Sequence, residues 1–305
     1  MEVTALLVKQ LRDKTSAGMM DCKRALLENN GNLEAAEEYL RKKGLMDAVK
    51  KSSRTAADGL IAIAVSEDKK MASMVEINSE TDFVARNEKF QKMLGEIAKI
   101  ALKAENVIDE KFSSGKTVKE EIDQLISLVG ENLTFRRAKR GEAVNGLVST
   151  YIHNAVNPGM GKIGVLLHLE AEKNFCPEKL DEFGRKISMH IAAANPTYLS
   201  QNCVPQLVIE KEKEIIMAQA KDLGKPENIA EKMAEGRVKK FFEECVLLEQ
   251  IFVMDGKLKI REALDAFNKE TGFNVKIFDF TKYVLGEGIE KGETNFAEEV
   301  ASFIK

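Results

Sequence analysis

The sequence predicts an α+β protein, on three observations. Residues 1–44 carry apolar side chains at helical spacing, with polar caps between the segments. From Gly59 the apolar residues change to short runs broken by a charged turn, and an amphipathic helix follows. The same order of strand, turn, strand and helix then returns further along the chain.

Taken in order, Leu6, Leu7 and Leu11 mark a first helix. Thr15, Ser16 and Gly18 interrupt it, and either hydroxyl suits an N-cap. Met19, Cys22, Ala25 and Leu26 line one face of a second helix, and Asn29-Asn30-Gly31 ends it, Gly31 suiting a left-handed position. Asn32 is expected to cap a third helix with Leu33, Ala36, Tyr39 and Leu40, stopped by Gly44. Lys50 to Arg54 reads as a linker, so 1–54 forms an N-terminal three-helix module.

Leu60, Ile61, Ile63 and Val65 form a strand, Glu67 to Lys70 a turn, and Met74 to Ile77 the returning strand of an antiparallel hairpin. A helix from Glu88 to about Ala104 puts Phe90, Met93, Leu94, Ile97, Ala98 and Ala101 on one face. Gly146-Leu147-Val148 then echoes Gly59-Leu60-Ile61, and Val165 to Leu169 echoes Met74 to Ile77. Glu80 aligns with Glu172 and Phe83 with Phe175, both 92 residues apart, and a helix Leu180 to Ala194 matches the one from Glu88. The pattern reads as a duplicated core of antiparallel sheet plus helix. Its subdomains are 55–145 and 146–206 plus 246–285.

Residues 207–245 read as an inserted helical hairpin. Leu207 to Leu223 offers Ile215, Ile216 and Ala220 as apolar contacts. Gly224-Lys225-Pro226 turns the chain, and Glu227 to Glu244 carries Ile229, Met233, Val238, Phe241 and Phe242. So thin an apolar surface points to packing on a partner or on the rest of the chain. Phe273, Val275, Ile277 and Phe280 suggest a last strand. Phe296 to Ile304 suggests a C-terminal helix in a module spanning 286–305.

Composition excludes several function classes. The 305 residues include 46 basic and 49 acidic side chains, for a net charge of −3, without the basic excess of a nucleic-acid protein. Arg136, Arg137, Lys139 and Arg140 read as a solvated face. Absence of tryptophan and only four tyrosines argue against a base-stacking platform. Cys22, Cys176, Cys203 and Cys245 fit no metal-binding spacing and read as buried free thiols in a reducing compartment. Residues 1–20 lack the apolar region of a signal peptide, and no run approaches a membrane span. A soluble, cytoplasmic protein is expected.

Gly159-Met160-Gly161-Lys162-Ile163-Gly164 matches GxGxxG, but Pro158 precedes it and a strand follows, where a dinucleotide site needs strand then helix. These glycines read as a hairpin turn. His153, His168 and His190 lack metal-site spacing, no serine sits in a nucleophile elbow, and no carboxylate pair is singled out. No cofactor, resident metal or bond-making chemistry is expected. One segment stands out: Asn78-Ser79-Glu80-Thr81-Asp82-Phe83-Val84. Thr81 or Asp82 could cap the next helix, and Phe83 is either a core anchor or an exposed probe. Residue type alone favours the anchor.

Four segments resemble the elongation factor Ts family. Leu11-Arg12-Asp13-Lys14-Thr15-Ser16-Ala17-Gly18-Met19-Met20-Asp21-Cys22-Lys23-Arg24-Ala25-Leu26 is similar to its N-terminal signature, with Ser16 where the family usually has glycine. Glu76 to Ala85 is similar to its second signature. His190-Ile191-Ala192-Ala193 and Gly286 to Lys291 also look like family segments, in order along the chain. The resemblance implies a guanine-nucleotide exchange factor for elongation factor Tu. The N-terminal module would be ubiquitin-associated-like and grip the GTPase domain. The inserted hairpin 207–245 mediates dimer contacts in some members, and a C-terminal helix returns to the GTPase.

The same resemblance makes Thr81, Asp82, Phe83 and Val84 the residues inserted near the partner's magnesium. It makes Ile163 and Gly164 a second contact near that cleft, and Met189 and His190 a contact to a β domain of the partner. Phe83 thereby becomes an exposed wedge. Two other readings compete. A helix-binding adaptor would rest on the N-terminal module alone and leave the remaining chain without a purpose. A small-molecule enzyme would have to use the glycine turn.

Overall fold

The computed structural model describes residues 3–290, apart from Ser16 and Lys173. The C-terminal helix expected over Phe296 to Ile304, and most of the 286–305 module, lie outside the described residues.

Three helices open the chain: α1 (Ala5–Thr15), α2 (Met19–Glu28) and α3 (Leu33–Lys51). Leu11, Cys22, Ala25, Leu26 and Ala36 close a small core of their own. Asn32 caps α3 by accepting from the amides of Glu34 and Ala35. Two expectations fail here. Gly44 does not stop α3, which runs on to Lys51, the second residue of the expected linker. Its second half lies along a later helix, and a Cβ at Gly44 would stand 3.5 Å from Ser127, so packing outweighs the weak propensity of one glycine. Met19 does not join the buried face of α2 but is exposed beside Met20.

Next come β1 (Asp58–Val65), β2 (Met71–Ser79), the four-residue α4 (Asp82–Ala85) and α5 (Glu88–Ala101). All six apolar residues assigned to one face of α5 are buried. The helix stops at Ala101 rather than Ala104. Then follow α6 (Val118–Val129) and β3 (Leu133–Glu142), which the sequence reading passed over. After them come β4 (Gly146–His153), β5 (Met160–Gly161), β6 (Ile163–Ala171) and α7 (Pro177–Ala194). α8 (Gln206–Asp222), α9 (Glu227–Cys245), α10 (Ile260–Thr271) and β7 (Val275–Val284) complete the described chain.

Two antiparallel sheets result, ordered β3-β2-β1-β5 and β4-β6-β7. Helices α5 and α6 cover the outer face of the first, and α7 and α10 the outer face of the second. The inner faces meet at a third core of Ile61, Ala72, Met74, Val148, Leu166 and Tyr283. The layers therefore run helix, sheet, sheet, helix. Gly164 sits in this seam: a Cβ there would lie 2.5 Å from Met74 Sδ and 2.8 Å from Ile61 Cγ2. Met160–Gly161 does more than turn a hairpin, since β5 pairs with β1 and so joins the first sheet, although β4 and β6 on either side of it in the chain belong to the second.

The sheets share fine detail. In each, the middle strand changes register at one step, between Glu76 and Ile77 and between His168 and Leu169. Gly59 and Gly146 stand at matching points, where a Cβ would collide with the carbonyl oxygens of Ile77 and Leu169. The bulge leaves one extra residue on each outer strand, Arg136 on β3 and Phe278 on β7.

That bulge corrects the basic cluster. Arg136 and Arg137 do not form a solvated face. Both reach fully buried Glu76, at 3.0 Å and 2.6 Å. The Gly286 amide also donates to Glu76, at 2.9 Å. Arg137 lies 4.0 Å from the centre of the Tyr283 ring and bonds the Val284 carbonyl at 3.2 Å. One buried carboxylate thus ties the first sheet to the chain leaving β7.

In the α8–α9 hairpin only Ala220, Ala230 and Ala234 are buried, while Leu207, Ile215, Leu223, Ile229 and Met233 are exposed. Of the four free cysteines, Cys22 is buried, Cys176 and Cys245 are half-buried and Cys203 is exposed, against the expectation of four buried thiols. Among the described residues no helix is long and apolar enough to cross a membrane.

Candidate functional site

The site grows out of the end of β2. After Ser79 the chain leaves the sheet, and Thr81 takes an extended conformation (φ −126°, ψ 160°) to begin α4. Val84 and Ala85 pack into the core beneath the first sheet. A helix this short that buries those two must turn the residue before them outward. Phe83 is 80% exposed. The core-anchor alternative is thereby excluded for Phe83, and it is Val84 that is the anchor. As one of the four residues expected to meet a partner, Val84 is sealed instead.

Hydrogen bonds hold the turn. Ser79 Oγ donates to the Thr81 carbonyl at 2.7 Å. The Thr81 amide and hydroxyl both donate to Glu131, at 3.0 Å and 2.7 Å. The Asn132 amide donates to Glu80 Oε1 at 2.6 Å, and Arg54 stands 3.6 Å from the same oxygen. Neither Thr81 nor Asp82 caps the next long helix. Thr81 makes no side-chain cap bond, and Asn87 caps α5 by accepting from the Lys89 amide at 2.9 Å. Asp82 pairs with Arg86 at 3.0 Å, both largely solvated, so the pair exchanges readily for other partners.

The remaining predicted residues lie on other elements. Ile163 is half-buried at the start of β6. Gly164, expected as a second contact, is buried in the seam between the sheets. Met189 is half-buried on α7, whereas His190 is fully buried. His190 Nδ1 accepts from the Val253 amide at 3.3 Å, which leaves the Nε2 proton to face Gln250 Oε1 at 2.9 Å. Burial pushes its pKa below the ordinary histidine value, and the Gln250 bond only partly opposes this. His190 is thus a neutral tie between α7 and the segment that joins α9 to α10, with no exposed surface of its own. The exposed side chains beside it are Val253 and Met254.

Among the described residues no group of three or more His, Cys, Asp or Glu could hold a metal ion. The site is an exposed aromatic on a braced turn.

A family model described as elongation factor TS matches residues 80–287, a stretch that begins at this turn. Elongation factor Ts of Bartonella henselae is 50% identical over 310 aligned positions, covering 100% of both chains. Elongation factor Ts of Rhodospirillum centenum is 47% identical over 306, covering 99% of this chain and 98% of the relative. The chain belongs to the elongation factor Ts family.

As an elongation factor Ts family member it is a protein of translation elongation. The sequence singled out the Phe83 turn, but the exposed reading of Phe83 came only through the family signature, and the residues that brace it were missed. Glu131 and Asn132 follow Gly130, whose left-handed conformation (φ 81°) ends α6. The available signal was a Thr117–Glu120 capping box followed by an apolar helical face and a glycine. No sequence signal marks Glu76 as buried, because its two arginines converge only through a bulge.

Proposed function

We propose that this chain is a guanine-nucleotide exchange factor for elongation factor Tu, working by insertion of the Phe83 turn beside the partner's nucleotide and magnesium. The observation that carries the reading is a large aromatic side chain held 80% in solvent on a turn fixed by its own sheet. Aromatic anchors of this kind dominate interface centres. A turn already held in place binds without an added ordering cost.

GDP is held largely through its phosphates and the bridging cation. A wedge that displaces the elements beside that cation weakens its coordination, and the nucleotide leaves faster. Asp82, released from its solvated pair with Arg86, acts on the polar groups around the metal. No bond is made or broken. Coupling is reciprocal: the factor by which the chain weakens GDP binding is the factor by which GDP weakens binding of the chain.

On this reading the 1–54 module, ubiquitin-associated-like in role, grips the GTPase domain and presents Met19 and Met20. The duplicated core carries the wedge. Ile163 and Met189 lie at its further contacts, and Gly164 and His190 support them from inside. The hairpin 207–245, with exposed Leu207, Ile215 and Leu223, is a surface for contact with a second copy. The 286–305 module returns to the GTPase, and the protein acts in the cytoplasm. Stopped-flow release of fluorescent GDP from elongation factor Tu tests the proposal. Release should accelerate with added chain, and a rate unchanged at saturating chain ends the reading.

A further inference from the structure

We infer that Glu131 is a positioning residue for nucleotide exchange, setting the Phe83 wedge by gripping Thr81. The inference rests on the proposal that the wedge engages the partner.

Four helical residues cannot hold themselves in place, since a single turn does not repay its own nucleation. The direction of α4 must come from outside it. Below, Val84 and Ala85 anchor one side in the core. On the other side the only brace reaching Thr81, the residue that precedes the helix, from a distant part of the chain, among the described residues, is Glu131. It lies 50 positions along the sequence, and each carboxylate oxygen takes one Thr81 donor, the amide at 3.0 Å and the hydroxyl at 2.7 Å. Bonds to an ionised acceptor are the stronger kind, and two together fix orientation as well as distance.

The neighbouring residues complete a reciprocal clasp. The Asn132 amide donates to the Glu80 side chain, and Asn132 Nδ2 donates to the Arg54 carbonyl at 2.8 Å. Residues 131 and 132 thus hold residues 80 and 81 in register. The clasp hangs from the end of α6, and α6 is itself tied to the N-terminal module. Gln124 Nε2 donates to the Thr15 carbonyl at 2.9 Å, and Arg41 stands 3.5 Å from Glu120. One helix therefore sets the wedge relative to the module that grips the same partner.

The test is GDP release from elongation factor Tu driven by the full chain and by Glu131→Ala, Phe83→Ala and the double variant. Glu131→Ala should lower the apparent second-order rate constant about tenfold, the factor that loss of two charge-assisted hydrogen bonds can supply. With Phe83 already removed, the same change should matter by less than about twofold, because contacting sites that act together are not additive. Glu131→Gln should recover most of the rate. Its amide oxygen can accept from the Thr81 amide while its NH2 donates to the Thr81 hydroxyl.

An unchanged rate for Glu131→Ala overturns the inference. So does an equal loss with and without Phe83, the mark of a general stability effect. If Glu131→Ala does not fold, Thr81→Val and Thr81→Ser decide. The valine variant should lose rate and the serine variant should keep it, and equal rates overturn the inference. No stimulation by the unaltered chain would instead remove the exchange reading, and a Phe83→Ala variant as active as the parent would remove the wedge.

Discussion

Phe83 and Val84 are neighbours in sequence and opposites in structure. Truncating Phe83 to alanine removes only solvent-facing surface, so thermal stability should change by less than about 0.5 kcal/mol. Exchange stimulation should fall by at least about tenfold, as for an interface anchor. Truncating Val84 should do the reverse, costing about 1–3 kcal/mol of stability through a core cavity. Melting curves and exchange rates on the same two proteins separate these outcomes. His190 gives a second residue-scale prediction. Its folded pKa lies below the ordinary value of 6.5, so the unfolded chain takes up the proton first. Its contribution is full above that value and is lost as pH falls below it. The gap in melting temperature between the parent chain and His190→Gln should therefore narrow from about pH 7.5 to about pH 5. Residue type could not have sorted these positions: a strand-end phenylalanine and a helical histidine are both commonly interior. What decided them was a turn held by Glu131 and a loop folded back over α7.

At the scale of elements, legibility followed periodicity. The apolar face of α5 was readable because every buried position falls at helical spacing. Helix α6 buries Val118, Ile122, Leu125 and Ile126 just as regularly, but the polar stretch before it hid its start. Strand β3 alternates poorly because the bulge at Arg136 resets its period. α3 outran its expected end because a neighbouring helix receives Gly44, a relation no local window contains. The hydroxyl and amide of Thr117 complete a capping box with Glu120. Thr117→Ala should cost about 1 kcal/mol of stability, measured by chemical denaturation. It should leave the exchange rate of the folded protein nearly intact.

At the scale of the molecule, the sequence pattern repeats along the chain but does not say how the two sheets join. Strands β1, β2, β4 and β6 are buried at consecutive positions, on both faces, and a strand read alone does not say what covers its second face. The inner faces meet over Ile61, Met74, Val148, Leu166 and Tyr283, and at Gly164 they leave no room for a Cβ. Gly164→Ala should cost about 1–3 kcal/mol through overpacking, seen as a lowered melting temperature. It should also lower exchange, because the same shift is passed to β2 and its terminal turn.

A shared interior of this kind has a mechanical meaning. Close-packed protein interiors yield little under load, and here the half that carries the Phe83 turn shares one packed interior with the half behind it. On the proposed reading, work done on a bound GTPase is therefore not squandered in flexing the tool. Whatever gives way when the two proteins press together is the softer of the pair, and stiffness has been built into this one.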